Sequence, residues 1–164
     1  MILQLRQEPE ANDLASPYSS PLQAQILRPL RQALRETARI LKLAARCEVS
    51  VLLAGDAFIR DLNLRYRGMD KPTDVLSFPQ DEPLLLGDIA ISVETASAQA
   101  ARVEWPLASE LALLAVHGLL HLAGYDDVEE EDAREMEALT RRGLAAARIE
   151  LPAATHPFFQ STQP

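Results

Sequence analysis

Apolar residues recur along this chain with two different periods, and each period predicts a different element. Residues 2–6 alternate between apolar and polar side chains, which predicts a short strand. Short apolar runs at 48–54, 75–78 and 86–93 predict three further strands. Only a short loop containing Pro83 separates the last two runs, so we expect those strands to form a hairpin.

Spacings of three and four residues predict the helices. The longest such pattern covers residues 22–46, and Pro29 inside it should either kink the helix or begin a second segment. The next helix is expected to be capped by Asp56 and to end at Gly68. Its inner face is expected to carry Phe58, Ile59, Leu62 and Tyr66. The remaining predicted helices cover 94–102, a segment that begins near Pro106 and includes the apolar run 111–122, and 128–148.

Together these elements predict an α+β (mixed α/β) fold. About four strands should form a mixed sheet packed with helices, and the apolar helix should be central. The chain has 164 residues, which suits one domain, predicted here over 1–151, and 48% hydrophobic residues can supply its core. Residues 8–21 contain three prolines and predict a loop, and the proline-containing residues 152–164 predict a disordered tail.

Charge and composition narrow the classes of function. A net charge of −8 argues against a protein that coats nucleic acid nonspecifically, and we expect no DNA partner. It leaves room for an RNA enzyme with a local basic patch, such as Arg60, Arg65, Arg67 and Lys71. No apolar run reaches membrane-spanning length and the amino terminus lacks a signal pattern, so a soluble cytoplasmic protein without membrane contact is expected. The single cysteine, Cys47, excludes an intrachain disulfide and is predicted to be a packed residue.

The apolar helix carries two histidines, His117 and His121, four residues apart. Side chains at this spacing lie one above the other on one helix face. Gly124 follows where a helix end favours a left-handed residue, so the chain can turn and bring Asp126 or Asp127 back toward the histidines. Two imidazoles and one carboxylate would hold a metal ion and leave a position open. The alternative is a pair of structural histidines that are hydrogen-bonded in the core.

Three blocks of this sequence resemble those of one known family. Residues 117–127 are similar to H-G-x-L-H-L-x-G-Y-D-[H], residues 62–79 to L-N-x-x-Y-R-x-x-D-x-P-T-D-V-L-S-F-P, and residues 86–91 to L-G-D-[IV]-x-I. The chain therefore resembles the YbeY family of bacterial rRNA maturation factors and endoribonucleases over residues 48–140. The resemblance also implies a mixed sheet between helices, similar to that of metal-dependent peptidases.

The resemblance implies a function and a site. It implies a single-strand-specific endoribonuclease that matures the 3′ end of 16S rRNA and takes part in ribosome quality control, with rRNA and the small ribosomal subunit as partners. It implies one Zn²⁺ per chain, held by His117, His121 and Asp127, with both histidines also serving catalysis. The family usually has histidine where this chain has Asp127. A carboxylate is an acceptable zinc ligand, but its added negative charge should make bound water less acidic and favour metals that prefer oxygen.

Arg67 matches the functionally important arginine that the resemblance implies. The planar guanidinium pairs with phosphate oxygens and stays charged, which suits a group that stabilises the transition state of RNA hydrolysis. The alternative is a surface salt bridge to Asp70 or Asp74.

Two other functions remain open on the sequence. The H-x3-H-x5-D spacing predicts metzincin-like geometry for the helix, but metzincin peptidases need glutamate as general base where this chain has Gly118. A degenerate metallopeptidase is therefore the weaker alternative. The other alternative is a non-catalytic ribosome-assembly factor that binds RNA around a structural metal, because no general base is apparent near the ligands.

Five further polar residues are weaker candidates. Ser77 and Thr73 have hydroxyls that suit phosphate, although strand residues of this kind are more often structural. Asp126 would either orient a ligand histidine or cap the turn, and Asp74 would hold the loop before its strand. His156 is a third imidazole, but it lies in the predicted tail, where ordering a ligand costs entropy.

Overall fold

The computed structural model describes residues 1–7, 21–82, 84–152, 156, 158 and 159. Four strands and five helices follow one another along this part of the chain. They are β1 (Ile2–Gln7), α1 (Pro21–Ile40), β2 (Glu48–Ala54), α2 (Asp56–Arg67), β3 (Val75–Glu82), β4 (Leu85–Ser92), α3 (Val93–Arg102), α4 (Leu107–Leu122) and α5 (Glu130–Ala146).

The four strands form one mixed sheet in the order β1-β2-β4-β3. Strands β1, β2 and β4 are parallel, and the register places Val51 opposite Ile89. Strand β3 lies at the edge and is antiparallel to β4, as expected for a hairpin. The predicted mixed α/β class and the four-stranded mixed sheet are therefore confirmed.

The two faces of the sheet bury different sets of side chains because side chains alternate along a strand. On one face, Val49, Val51 and Leu53 join the main core, which they share with α1, α3, α4 and α5. On the other face, Ala54 and neighbouring β3 and β4 residues pack against Ile59 of α2. Helices α2 and α4 therefore lie on opposite faces, with the edge strand β3 between them.

Helix α4 is the centre of the main core. Every residue from 110 to 120 is buried, so the helix has no polar face. It reaches the sheet closely at Gly118, where an added Cβ would lie 2.8 Å from Ile89 Cγ2 and 3.1 Å from Ser77 Oγ. Any side chain at this position would push the helix away from the sheet.

Replacing Gly118 by valine is therefore expected to lower the free energy of unfolding by about 2–3 kcal/mol, as overpacking of a tight core does. Chemical denaturation followed by circular dichroism measures this loss. The control is Ala101→Val, at an exposed position of α3, where only a helix-propensity cost of about 0.5 kcal/mol is expected. Equal losses in the two variants would contradict the close packing of α4 on the sheet.

Two local predictions about the helices are corrected, and one of the two alternatives for Pro29 is excluded. Helix α1 ends at Ile40 rather than 46, because Lys42 adopts a left-handed φ of 55°. Pro29 lies inside one continuous helix, so no second segment begins there. Asp56 does not cap α2: the N-cap is Gly55, and the Asp56 carboxylate instead accepts hydrogen bonds from the hydroxyls of Ser92 and Thr95.

The prediction that α2 buries its inner face is confirmed for Ile59 and wrong for Tyr66. Ile59 is fully buried, whereas Tyr66 is 67% exposed. Tyr66 belongs to the last turn of the helix, and its ring packs edge-on against the Phe78 ring of the edge strand. The helix ends at Gly68, which has a left-handed φ of 69°, as predicted.

The remaining predictions concern Cys47, the membrane and the segments 8–21 and 152–164. Cys47 is a buried free cysteine, as expected. In the described residues no single helix is long and apolar enough to cross a membrane, although α3 and α4 together pass that test as a pair bent by 116°. The predicted loop at 8–21 falls outside the described residues except for Pro21, which begins α1.

The boundary between a domain at 1–151 and a disordered tail at 152–164 stays a prediction. Among the few residues of this tail that the structure describes, His156 and Phe159 are buried and Phe158 is half-buried.

Candidate metal centre

The C-terminal turn of α4 assembles the site. Gly124 has a φ of 91°, and the amide of Gly124 donates to the His121 carbonyl while the amide of Tyr125 donates to the Leu120 carbonyl. This is a Schellman motif, which reverses the chain after a helix. The reversal returns Asp127 to the end of the helix, where the two histidines lie. The turn predicted from Gly124 is therefore confirmed.

His117, His121 and Asp127 form a cluster whose candidate ligand atoms all lie within 4.8 Å of one another. The two Nε2 atoms are 2.9 Å apart. Asp127 Oδ2 lies 3.7 Å from His117 Nε2, and Asp127 Oδ1 lies 3.9 Å from His121 Nε2. All three side chains thus point toward one common position.

The second nitrogen of His121 is fixed by the turn. Nδ1 lies 3.1 Å from the Tyr125 carbonyl oxygen, which can only accept, so Nδ1 carries the hydrogen and donates. In the neutral ring Nε2 then holds a lone pair that points into the cluster. This arrangement, a carbonyl that orients the imidazole from behind, is common for metal-binding histidines.

His117 is oriented by packing. Burial and the neighbouring His121 lower the pKa of His117 to about 4, so its imidazole is neutral at pH 7. Its Nδ1 atom is buried and has no hydrogen-bond partner in the described part of the chain. The Phe158 ring packs edge-on against the imidazole at a centroid distance of 4.6 Å.

The cluster fits a small metal ion. A tetrahedral zinc site with bonds of 2.0–2.1 Å places its ligand atoms about 3.3 Å from one another. The three distances within the cluster, 2.9, 3.7 and 3.9 Å, bracket that value. Neutral imidazoles and a carboxylate are also the donor types that zinc accepts.

The cluster opens into a cleft of about 1280 Å³ that crosses the edge of the sheet beside β3. Arg67, at the end of α2, lines the same cleft and is exposed. The salt bridge considered from the sequence is not formed, because Asp70 pairs with Arg60 at 2.6 Å and Asp74 accepts from Gln99 at 3.0 Å. Arg67 makes no hydrogen bond or ion pair within the described residues.

The weaker candidates have structural partners. The Ser77 hydroxyl donates to the Gly118 carbonyl at 3.4 Å, and the Thr73 hydroxyl donates to Asp74 at 3.2 Å. Asp74 also accepts from the Val75 amide at 2.8 Å, so it holds the loop before β3 as predicted. Asp126 accepts from the backbone amide of Asp127 at 2.8 Å. Of the two roles predicted for it, orienting a histidine or capping the turn, this contact matches the second.

His156 lies elsewhere. Its Nε2 atom is 2.8 Å from Oε2 of Glu110, and both side chains are almost fully buried. Its Nδ1 atom accepts from the Phe158 amide at 3.1 Å, so Nε2 carries the hydrogen and donates to the carboxylate. This pair was not predicted from the sequence. The available signal was Glu110 itself, a lone acid in the most apolar helix, which requires a buried partner.

Replacing His156 by leucine is expected to destabilise the protein by about 3 kcal/mol or more, because the Glu110 carboxylate is left buried and unpaired. Thermal or denaturant unfolding measures the loss. The double variant Glu110→Leu/His156→Leu removes the buried carboxylate together with its partner and should be more stable than the single variant. If the single variant were the more stable of the two, the pair would not be the contact that fixes this segment.

The fold and the cluster define a class: a mixed α/β protein with a candidate metal centre at the end of a buried helix. A family model described as "Endoribonuclease YbeY" matches residues 17–148. The chain belongs to the YbeY family, as the three motifs had indicated.

Curated relatives that carry the name "Endoribonuclease YbeY" are similar over most of the chain. One from Methylocella silvestris is 48% identical over 115 residues, which are 68% of this chain and 65% of the relative. One from Rhodopseudomonas palustris is 42% identical and covers 82% of each chain. One from Moorella thermoacetica is 47% identical over 79% of this chain and 91% of its own. The chain thus spans just under two thirds of the first of these relatives.

A solved structure has the same fold. The solution structure of a protein from Thermotoga maritima superimposes with a TM-score of 0.61 at 26% sequence identity. The match covers 89% of each chain. The architecture described above is therefore shared across most of both proteins.

Proposed function

We propose that this protein is a metal-dependent endoribonuclease that hydrolyses phosphodiester bonds in single-stranded rRNA. Its membership of the YbeY family supports the reaction. The observation that carries the proposal is the cleft, in which a His-His-Asp cluster and an unpaired arginine share one open surface. The substrate we propose is the small-subunit rRNA at or near the 16S 3′ end, during maturation and quality control of ribosomes in the cytoplasm.

His117, His121 and Asp127 are the residues that would hold one Zn²⁺ ion in this proposal. When bound, the metal would supply Lewis acidity toward a phosphoryl oxygen and lower the pKa of water. The backbone carbonyl of Tyr125 holds His121 in the tautomer that presents Nε2. Phe158 and the buried helix hold His117 in place. Neither imidazole therefore needs to change its orientation in order to bind a metal ion.

The negative charge of the cleft supports a bound cation. Four aspartates line it in the described residues, against Arg6 and Arg67 as the cationic side chains. An RNA phosphodiester is anionic and would be repelled by this excess. A divalent cation bound among the aspartates would make the local electrostatic potential positive, so the same cleft could then accept a phosphate.

Arg67 is the group that we propose binds the scissile phosphate. Its side chain is exposed and has no partner in the described residues, so a phosphate need not compete with a carboxylate for it. Its planar fork can donate two parallel hydrogen bonds to phosphate oxygens. Such donors stabilise the extra negative charge that develops when water attacks phosphorus.

The structure gives a physical reason against the peptidase alternative. The general base of a metzincin would occupy the position of Gly118, where even a Cβ meets Ile89 at 2.8 Å. A glutamate at this position would require Ile89 or α4 to move. The chain therefore has the histidine spacing of a metzincin helix but lacks the glutamate that serves metzincins as general base.

Cleavage of a small-subunit rRNA precursor by the purified protein tests the proposal against the assembly-factor alternative. We expect many RNA molecules cut per protein, inhibition by a chelator and recovery when Zn²⁺ is added back. A duplex of the same sequence, with no unpaired segment, should be cut far more slowly. Tight binding without any turnover, on naked RNA and on ribosomal subunits, would favour the non-catalytic factor.

A further inference from the structure

Tyr66 is an aromatic residue in an unusual position. It is 67% exposed, although it lies in the last turn of a helix that buries other apolar side chains. Its ring packs edge-on against the Phe78 ring, with centroids 4.9 Å apart and planes at 65°. Phe78 is partly buried and packs against the small hydrophobic cluster between α2 and the sheet. The pair is thus a supported aromatic surface that faces solvent.

This aromatic pair belongs to the cleft. Tyr66 and Phe78 both line it, together with the candidate metal ligands. Arg67 lines the same cleft, so a ligand that lies on the tyrosine ring shares the cleft with an unpaired guanidinium. An aromatic face next to an arginine is the pairing that proteins use to hold a base and its phosphate.

Electrostatics alone gives this protein little affinity for RNA. The net charge is −8, and aspartates outnumber arginines in the described lining of the cleft. Few phosphates can therefore be neutralised, and counterion release contributes little. Stacking of a base on an aromatic ring does not depend on net charge, and it strengthens binding of single strands by roughly 5- to 100-fold per base.

We propose that Tyr66 and Phe78 form a stacking platform for one unpaired base of the RNA substrate. The base stacks on Tyr66, its phosphate lies at Arg67, and the strand continues toward the His-His-Asp cluster. Bases within a duplex are already stacked on one another and cannot reach the platform, so it selects for single strands. This inference rests on the proposed function, because it assigns a subsite to the same RNA.

Binding of a short fluorescein-labelled single-stranded RNA, followed by anisotropy, tests the platform. The protein is used as purified, and a gel confirms that the RNA stays intact during each titration. We expect Tyr66→Ala to weaken binding roughly 5- to 100-fold and Tyr66→Phe to bind like wild type, because the ring is kept. The matched control is Leu64→Ala, another exposed apolar position on α2 that does not line the cleft, which should bind like wild type.

Binding of RNAs that lack a single base, at one abasic nucleotide each, tests whether the affinity comes from stacking. If one base stacks on Tyr66, removing that base weakens binding to wild type and leaves Tyr66→Ala unaffected, so the two losses do not add. Circular dichroism and the melting temperature confirm that Tyr66→Ala is folded, as its exposure leads us to expect. The platform would be wrong if Tyr66→Phe lost as much affinity as Tyr66→Ala. It would also be wrong if the loss caused by Tyr66→Ala added fully to the loss caused by each abasic nucleotide.

The platform and the proposed function fail in different ways. If wild type cuts single-stranded RNA and Tyr66→Ala binds and cuts it equally well, the platform is wrong and the nuclease stands. If wild type neither binds nor cuts any single-stranded RNA, the proposed function fails and the platform with it.

Discussion

Replacing His121 by alanine is expected to remove the bound metal and to lower RNA cleavage by at least about 100-fold. The variant loses one of three candidate ligands and the hydrogen bond that the Tyr125 carbonyl accepts. Changes even to groups that only support a metal ligand commonly cost 10- to 100-fold in affinity or activity, so loss of the ligand itself should cost at least as much. Elemental analysis of the purified protein and cleavage of the rRNA precursor measure the two effects.

The matched control for His121 is Asp126→Asn. Asp126 is an exposed neighbour of the cluster that accepts a hydrogen bond from the backbone, and asparagine keeps that acceptor. This variant should retain its metal. A His121→Ala protein that kept both its metal and its cleavage would show that the cluster is not the site.

Replacing Arg67 by alanine is expected to leave the metal in place and to lower kcat by about 100- to 1000-fold, as removal of one donor to a developing oxyanion does. Arg67 is exposed and makes no hydrogen bond or ion pair within the described residues, so the fold should be unaffected. Arg67→Lys should recover part of the rate, because lysine keeps the charge but lacks the planar fork. Cleavage rates at saturating RNA, with metal content measured in parallel, test the prediction.

Arg65→Ala is the matched control for Arg67. Arg65 lies on the same helix, is similarly exposed and forms a surface ion pair with Asp61 at 2.8 Å. Such pairs contribute at most about 1 kcal/mol to stability, and Arg65 does not line the cleft. Equal rates for wild type and Arg67→Ala would mean either that the observed cleavage comes from a contaminant or that Arg67 has no part in it. Loss of metal from Arg67→Ala would instead assign this arginine a structural role.

Much of the site follows from local sequence. Residues four apart on a helix share a face whatever surrounds the helix, so His117 and His121 could be paired from spacing alone. The turn after α4 was equally readable, because Gly124 is the residue type that a Schellman motif requires. The choice of Asp127 as the third candidate ligand needed the resemblance, since spacing allowed either Asp126 or Asp127.

The partners of exposed charges were decided by the tertiary structure. Arg67 has two aspartates nearby in sequence, Asp70 and Asp74, and both are occupied by other side chains. Sequence distance does not show which of several cations a carboxylate reaches, because that depends on where each helix and loop lies. That Arg67 forms no salt bridge to either aspartate is therefore a property of the fold.

The sequence by itself determined the strands, the helices, the central place of α4 and the motifs that placed the chain in its family. These features depend on periods of two and 3.6 residues and on turn residues, all of which act over a few neighbouring positions. The tertiary structure decided the strand order, the exposure of Tyr66 and the contact between Glu110 and His156, which are 46 residues apart. Contacts of this kind depend on which faces pack together, and no local spacing encodes that choice.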